Sequence, residues 1–238
     1  MKGWIIPPPA VPTKGKQDLI NERHQKVKKL IERGYLKSAR IREAMLKVPR
    51  EDFIPYHYRD YAYFEVPLPL PGEKATISCP HSYPLFYEPL GLDQGQSFLE
   101  VGLGSGYGTA LAREVVGPEG LVVSVEIDPL TFEYAQNNLL RNGYDDIILV
   151  QGDGSFGYMH HAPYDRICIT AACPAIPEAL LAQLNFDGKL IAPVMEHGVQ
   201  NLVLLENTHK GLRKRLICEV LYVPLQGLYG TTDPTPRR

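Results

Sequence analysis

Residues 74–81, KATISCPH, crowd two hydroxyls, a thiol and an imidazole into one short stretch behind the proline-rich run VPLPLPGE. These are the residue types of an enzyme nucleophile with its base. The neighbouring sequence withholds the rest of that machinery: no G-x-S-x-G elbow presents Ser78, and no acid is assigned to orient His81. Cys79 reads as a small packing residue before it reads as a nucleophile. Two readings of His81 stand level, a residue beside a ligand or a buried, hydrogen-bonded structural histidine.

A second chemical grouping lies in SFLEVGLGSGYG, where Glu100 precedes Gly102, Gly104, Gly106 and Gly108. Glycines after a short apolar run let the backbone turn tightly and approach a ligand as a helix begins. The dinucleotide fingerprint G-x-G-x-x-G is not met: the sixth place counted from Gly102 is Tyr107, and from Gly104 it is Thr109. Glu126 closes the next apolar run, LVVSVE, roughly 20 residues on, where a carboxylate accepts hydrogen bonds from ribose hydroxyls. Glu100 places a carboxylate under the ligand, which repels a pyrophosphate and suits a cation. A third run exits into Gly152-Asp153-Gly154, with Asp153 available to an adenine edge. A nucleoside carrying positive charge meets these demands together, and S-adenosylmethionine is the expected cofactor. Taken singly, each piece has a plainer reading: glycine loops join strands to helices, and G-D-G is a common turn. Asp128 before Pro129 has its own work as a helix start, so Glu126 is assigned to the ligand.

These groups need elements to position them. Residues 18–33 carry Leu19, Ile20, Val27, Leu30 and Ile31 at helical spacing, and Gly34 suits the end of that helix. A second helix is predicted after Ser38, with Ile41, Ala44 and Met45 inward, stopped by Val48-Pro49. From about Ser97 the pattern changes. The runs SFLEV, LVVSVE, IILVQG, RICIT and KLIAPV alternate with the helical stretches GTALAREVV, PLTFEYAQNNLLRN and IPEALLAQL. Strands alternating with helices imply a parallel sheet covered on both faces, a doubly wound, Rossmann-like α/β fold with an N-terminal helical extension. NLVLLEN and LRKRLICEVLYVPL around the turn THKG add antiparallel strands at the C-terminal end.

The composition is that of an ordinary globular chain: 238 residues, 44% hydrophobic, 22% charged, with a formal net charge of -2. Such a balance sets up no field for nucleic acid or an anionic membrane. The basic 210–215 stretch, KGLRKR, reads as a solvated hairpin face. Four scattered cysteines have no C-x-x-C pair and no Cys/His spacing that holds a metal, so free thiols in a reducing cytoplasm are expected. Prolines interrupt the apolar start after Ile6, which argues against a signal peptide. No run of about 18 apolar residues offers a membrane span. Residues 1–16 are expected to be a loose arm, 17–230 one domain (17–80 the extension, 81–230 the cofactor-binding core), and 231–238 a loose tail. A monomer is the expected state.

With these residues in view, the chain resembles the protein-L-isoaspartate (D-aspartate) O-methyltransferase family over about 17–230. The blocks VPREDFIP, TISCPH, LEVGLGSGY, SVEIDPL, GDGSFG, TAACPAIP, DGKLIAPV and VPLQGLYG occur in the family's order. The glycine loop is shared with most methyltransferases; the first, second and sixth of these blocks are specific to this family. The resemblance implies methyl transfer from S-adenosylmethionine to the isoaspartyl carboxylate of damaged proteins or peptides, after which a succinimide forms and opens. It puts the catalytic serine at Ser78. It puts the cofactor against Thr76, Ile77, Ser78 and His81, against Glu100, Gly102, Leu103, Gly104 and Ser105, and against Glu126, Ile127, Asp153 and Gly154. No metal is implied. An acceptor carboxylate with a pKa near ~4 is already anionic at neutral pH, so the chemistry needs no base. Alignment is the main contribution, worth on the order of 7–11 kcal/mol in ideal cases.

Departures from the family pattern fall at Cys79, Ser82, Tyr83, Met195 and Gln226, where alanine, other P-H-M residues, glycine and threonine are usual. Because Ser82, Tyr83 and Gln226 are expected on the acceptor side, a homologue dedicated to one protein or peptide is the alternative. A nicotinamide oxidoreductase lacks its third glycine at Tyr107. A nucleic-acid methyltransferase lacks its basic groove and its Asn/Asp-Pro-Pro-aromatic exit. A non-catalytic cofactor-binding module predicts binding without turnover.

Overall fold

The computed structural model describes residues 7–72 and 75–231. Its first helix, α1 (Lys16–Glu32), buries Leu19, Val27 and Leu30 on one stripe together with Arg23. The arginine is tolerated there because its guanidinium donates to Glu51 (2.7 Å), the Tyr63 hydroxyl (2.8 Å) and the Leu46 carbonyl (3.0 Å). Helix α2 (Ala39–Lys47) begins where Ser38 Oγ accepts from the Ile41 amide at 3.4 Å, and it buries Ile41, Ala44 and Met45 as its spacing predicts. Short 3-10 turns follow at Arg50–Phe53 and Tyr56–Tyr61. A small ribbon pairs β1 (Leu68–Pro69) antiparallel with β2 (Thr76–Ile77), and α3 (Ser82–Leu90) leads into the main sheet.

That sheet runs β3 (Ser97–Val101), α4 (Tyr107–Val116), β4 (Leu121–Glu126), α5 (Pro129–Arg141), β5 (Ile148–Gln151), β6 (Tyr164–Ile169), α6 (Glu178–Leu181), β7 (Leu184–Glu196), β8 (Val199–Thr208) and β9 (Gly211–Val220). Its spatial order is β5-β4-β3-β6-β7-β8-β9, parallel from β5 through β7 and antiparallel for β8 and β9. This is the doubly wound sheet with antiparallel C-terminal strands that the alternating pattern predicts. Successive strand residues face opposite sides. Phe98, Val122 and Cys168 join a core shared with α1–α4, while Leu99, Val123 and Ile167 join a second core on the other face. The N-terminal extension and one face of the sheet therefore share one continuous apolar core.

The structure departs from the sequence reading in three places. The helix expected over 176–184 is only Glu178–Leu181, and β7 begins at Leu184 and runs thirteen residues. The Gln183 carbonyl accepts from the Tyr164 amide at 2.8 Å, so the sheet ladder captures the chain before the helix can continue. The last strand ends at Val220, short of the predicted LYVPL extension. Instead 223–225 leave the sheet edge and hydrogen-bond to Ala172, whose amide donates to Val223 and whose carbonyl accepts from Leu225, both at 2.8 Å. The arm expected to be loose is docked in its described part: Ala10 N donates to His57 O at 2.9 Å, and Thr13 N to Asp60 Oδ2 at 2.6 Å. Residues 1–6, Lys74 of the KATISCPH block and 232–238 of the expected tail lie outside the described residues. Among the described residues no helix is long and apolar enough to cross a membrane.

Candidate active site

The chain leaves β3 toward β4 on one side and returns to β6 on the other, so β3 marks the point where strand order reverses. Open α/β sheets bind ligands at that point, beyond the carboxyl ends of the strands. A crevice of about 890 Å³, counting its open mouth, lies there.

The β2 side lines this crevice with Thr76, Ile77 and Ser78, and the β3 exit with Glu100, Gly102, Leu103, Gly104 and Ser105. Glu126, Ile127 and Gly154 line it from the next two strand exits. His81 and Asp153 are not on its lining. The Nδ1 atom of His81 instead lies 2.7 Å from Glu65 Oε2. Asp153 accepts from Ser155 N at 2.9 Å and from Leu228 N at 2.8 Å, which fastens the C-terminal segment across the sheet end. That latch has a consequence: it holds 223–226, residues the sequence placed in a strand or passed over, against the crevice as part of its wall. Only the proline at 224, unsuited to a continuing ladder, signalled the turn away from the sheet.

Glu100 is 2% exposed and sits beneath the loop. Its Oε2 accepts from the hydroxyls of Thr109 and, at 2.9 Å, Ser124. Burial pushes its carboxyl up to about 7; the two hydroxyls pull back against this, and neighbouring Glu126 adds to it. Space for this carboxyl comes from Gly108, where a Cβ would stand 2.7 Å from Glu100 Oε1. Glu126 is 8% exposed and accepts from the amides of Gly104 (3.0 Å), Ile127 (3.0 Å) and Asp128 (3.1 Å). Burial raises its pKa, and those three amides oppose the rise. Of a carboxylate's roughly four lone-pair positions, three are used, which leaves acceptor capacity on Oε2 toward the crevice. Among the described residues no lysine, arginine or histidine lines this cleft. Acid without base on the walls suits a cationic nucleoside and repels a pyrophosphate, so these residues fit S-adenosylmethionine.

The raised pKa of Glu100 makes a testable statement. A carboxyl that titrates higher when folded binds more protons in the native state between about 4.5 and 7, so stability falls as pH rises through that window. Above it the ionised, buried group costs on the order of 3 kcal/mol. Glu100→Gln is therefore expected to raise the melting temperature at pH 8 relative to the native chain, with little change at pH 4.5. The same substitution is expected to weaken S-adenosylmethionine binding, since a negative charge on the crevice wall is gone. Melting curves at both pH values check the first half and calorimetry the second.

Ser78 follows β2, and Arg50 Nη2 donates to its carbonyl at 2.6 Å while Arg50 Nε donates to Ala62 O at 2.6 Å. Arg50 is 1% exposed and lies over the rings of Tyr83 and Tyr107, at 5.6 and 5.2 Å. The arginine of the VPREDFIP block thus holds the serine in place, a role its position in the sequence did not reveal. Among the described residues no protein group takes the Ser78 hydroxyl in a hydrogen bond. Ser78, with Thr76, Thr170, Val223 and Pro224, also lines a second, larger cavity bounded by Tyr35, His81 and the end of β9. Thr170 donates to Gly102 O at 2.8 Å, so this shared wall is tied to the glycine loop.

Known proteins resemble this chain in sequence and fold. The family model described as Protein-L-isoaspartate(D-aspartate) O-methyltransferase (PCMT) matches residues 21–229. A protein-L-isoaspartate O-methyltransferase of Methanothermobacter thermautotrophicus is 44% identical over 214 residues, covering 89% of this chain and 98% of the relative. One from Methanopyrus kandleri is 45% identical over 214 residues, covering 89% and 94%. Among solved structures, a protein-L-isoaspartate O-methyltransferase superposes with a TM-score of 0.81 at 34% identity, over 87% of this chain and 67% of that one. A Plasmodium falciparum protein, solved in complex with S-adenosyl-L-homocysteine, shares the fold with a TM-score of 0.77 at 23% identity, over 86% and 98%. With the family model spanning most of its length and relatives this similar across nearly their whole chains, the protein belongs to the protein-L-isoaspartate (D-aspartate) O-methyltransferase family.

Proposed function

We propose that this chain methylates the isoaspartyl carboxylate of damaged proteins and peptides, with the donor in the acid-lined crevice and the acceptor entering from the second cavity at Ser78. The observation that carries the reading is the wall shared by the two spaces, to which Ser78 belongs. Bound S-adenosylmethionine supplies an activated methyl on a sulfonium. Glu126 receives the ribose hydroxyls, the glycine loop admits the backbone close to the nucleoside, and Glu100 balances positive charge from below. The Ser78 hydroxyl donates to one oxygen of the acceptor carboxylate and turns the other toward the methyl. Because that carboxylate is anionic at neutral pH, no side chain has to remove a proton. Opposite charges cancel as reaction proceeds, so walls of Leu103, Val223 and Leu225 that exclude water assist the transfer. The protein's contribution is alignment.

An isoaspartyl peptide and its normal aspartyl twin, assayed side by side for methyl transfer, test this. Transfer is expected to the isoaspartyl peptide alone. Ser78→Ala should lower kcat roughly tenfold, the worth of one hydrogen bond, with cofactor affinity retained. Equal activity on both peptides rejects the repair assignment; binding of cofactor with no turnover on either makes the chain a binding module.

A further inference from the structure

We propose that Glu65, Cys79 and His81 form a zinc-binding site in the wall of the second cavity, one residue from Ser78, and that an ion bound there slows methyl transfer. The three side chains come from different places: Glu65 precedes β1, and Cys79 and His81 flank Pro80 after β2. Their donor atoms all lie within 4.8 Å of one another. One is a soft thiol, one a borderline imidazole and one a hard carboxylate; the sulfur and nitrogen donors favour zinc over magnesium or calcium. Cys79 and His81 both line the cavity, so a fourth position stays open to water and the ion has a route in.

Neighbouring side chains hold two of the three ligands in place. Lys26 Nζ holds Glu65 Oε1 at 2.9 Å, which fixes the carboxylate and leaves Oε2 turned to His81. The Tyr35 ring packs against the imidazole with centroids 5.3 Å apart. Tetrahedral zinc sets a nitrogen and an oxygen ligand about 3.4 Å apart. His81 Nδ1 and Glu65 Oε2, now at 2.7 Å, therefore need to open by less than 1 Å. On binding, the Cys79 S–H bond breaks and its proton goes to solvent, as a metal-bound thiol is deprotonated. The proton between His81 Nδ1 and Glu65 gives way to the ion as well: a neutral ring shifts it to Nε2, and an imidazolium releases it to solvent and keeps the one on Nε2. With Lys26 beside it, the site then carries two ligand negative charges against the divalent ion and one ammonium.

The full chain, freed of metal and titrated with Co2+ alone, tests binding, because cobalt occupies zinc sites and reports thiolate ligation by a charge-transfer band. One such band per chain, displaced by Zn2+, is expected. It should vanish in Cys79→Ala, and Glu65→Gln, which replaces a charged ligand by a neutral amide, should weaken binding by at least the roughly tenfold that loss of a partner behind a ligand costs. No band in the native chain overturns the proposal, as does a band that persists in Cys79→Ala and so belongs to Cys168, Cys173 or Cys218. The inhibitory half rests on the acceptor role given to the second cavity. Zn2+ should slow transfer to the isoaspartyl peptide in the native chain and leave the Cys79→Ala rate at its own metal-free value. If zinc binds by the cobalt measure without slowing transfer, inhibition is wrong. If no peptide is methylated, the acceptor reading fails while the cobalt titration still decides the site.

Discussion

Glu126→Ala is expected to weaken S-adenosylmethionine binding by about 100-fold or more. Hydrogen bonds to a charged group are worth about 1.5–3 kcal/mol each, and a ribose offers two hydroxyls to this carboxylate. The substitution also removes the acceptor for the amides of Gly104, Ile127 and Asp128, so the loop that admits the nucleoside loses its anchor. Glu126→Gln should fall between the two, since it keeps one acceptor oxygen but turns an NH2 toward amide donors. Calorimetric titration with S-adenosylhomocysteine, which lacks the sulfonium, separates this effect from that of Glu100. Affinity within about threefold of the native chain in Glu126→Ala would sink the ribose assignment.

Gly102→Ala is the second large effect. Gly102 has φ +98, a conformation that costs a residue with a Cβ about 1–3 kcal/mol. That Cβ would stand 2.3 Å from Thr170 Oγ1, the hydroxyl that donates to the Gly102 carbonyl at 2.8 Å. Strain and collision together are expected to cost about 2–4 kcal/mol, a fall in melting temperature of roughly 5–12 °C for a chain of this size. Cofactor binding should fall with it, because Thr170 must move into the shared wall. Adding Thr170→Ala removes the collision but not the backbone strain, so the double variant should recover part of the loss. Recovery of all of it would assign the whole cost to Thr170, and no recovery would assign it to the backbone.

Much of the donor side was legible because it is local. Glu100 through Ser105 form one uninterrupted strand exit, and Glu126 with Ile127 form another, so strand period and glycine spacing are enough to bring them to one rim. The acceptor side was less legible. Val223 and Pro224 belong to a run that reads as strand, and the backbone hydrogen bonds of 223–225 to Ala172, with the latch between Asp153 and Leu228, 75 residues apart, turn that run into a wall. Arg50 gives no local sign that it will reach Ser78, because its partners are carbonyl oxygens that any residue can offer. The helix predicted over 176–184 is cut short for the same reason: its apolar spacing suits a helix, and a long-range backbone hydrogen bond from Tyr164 to Gln183 ends it at Leu181.

The sequence by itself determined the alternation of strands and helices, the glycine loop and the acids at the strand exits, and the family blocks. Each depends on periodicity, or on residue types a few places apart, and short-range sterics enforce both. The tertiary structure alone decided that His81 turns to Glu65, that Asp153 ties down the C-terminal segment, and that a thiol, an imidazole and a carboxylate meet beside Ser78. A buried polar group must find a partner, but local pattern states only that it is buried, and the partner is whichever group packing delivers.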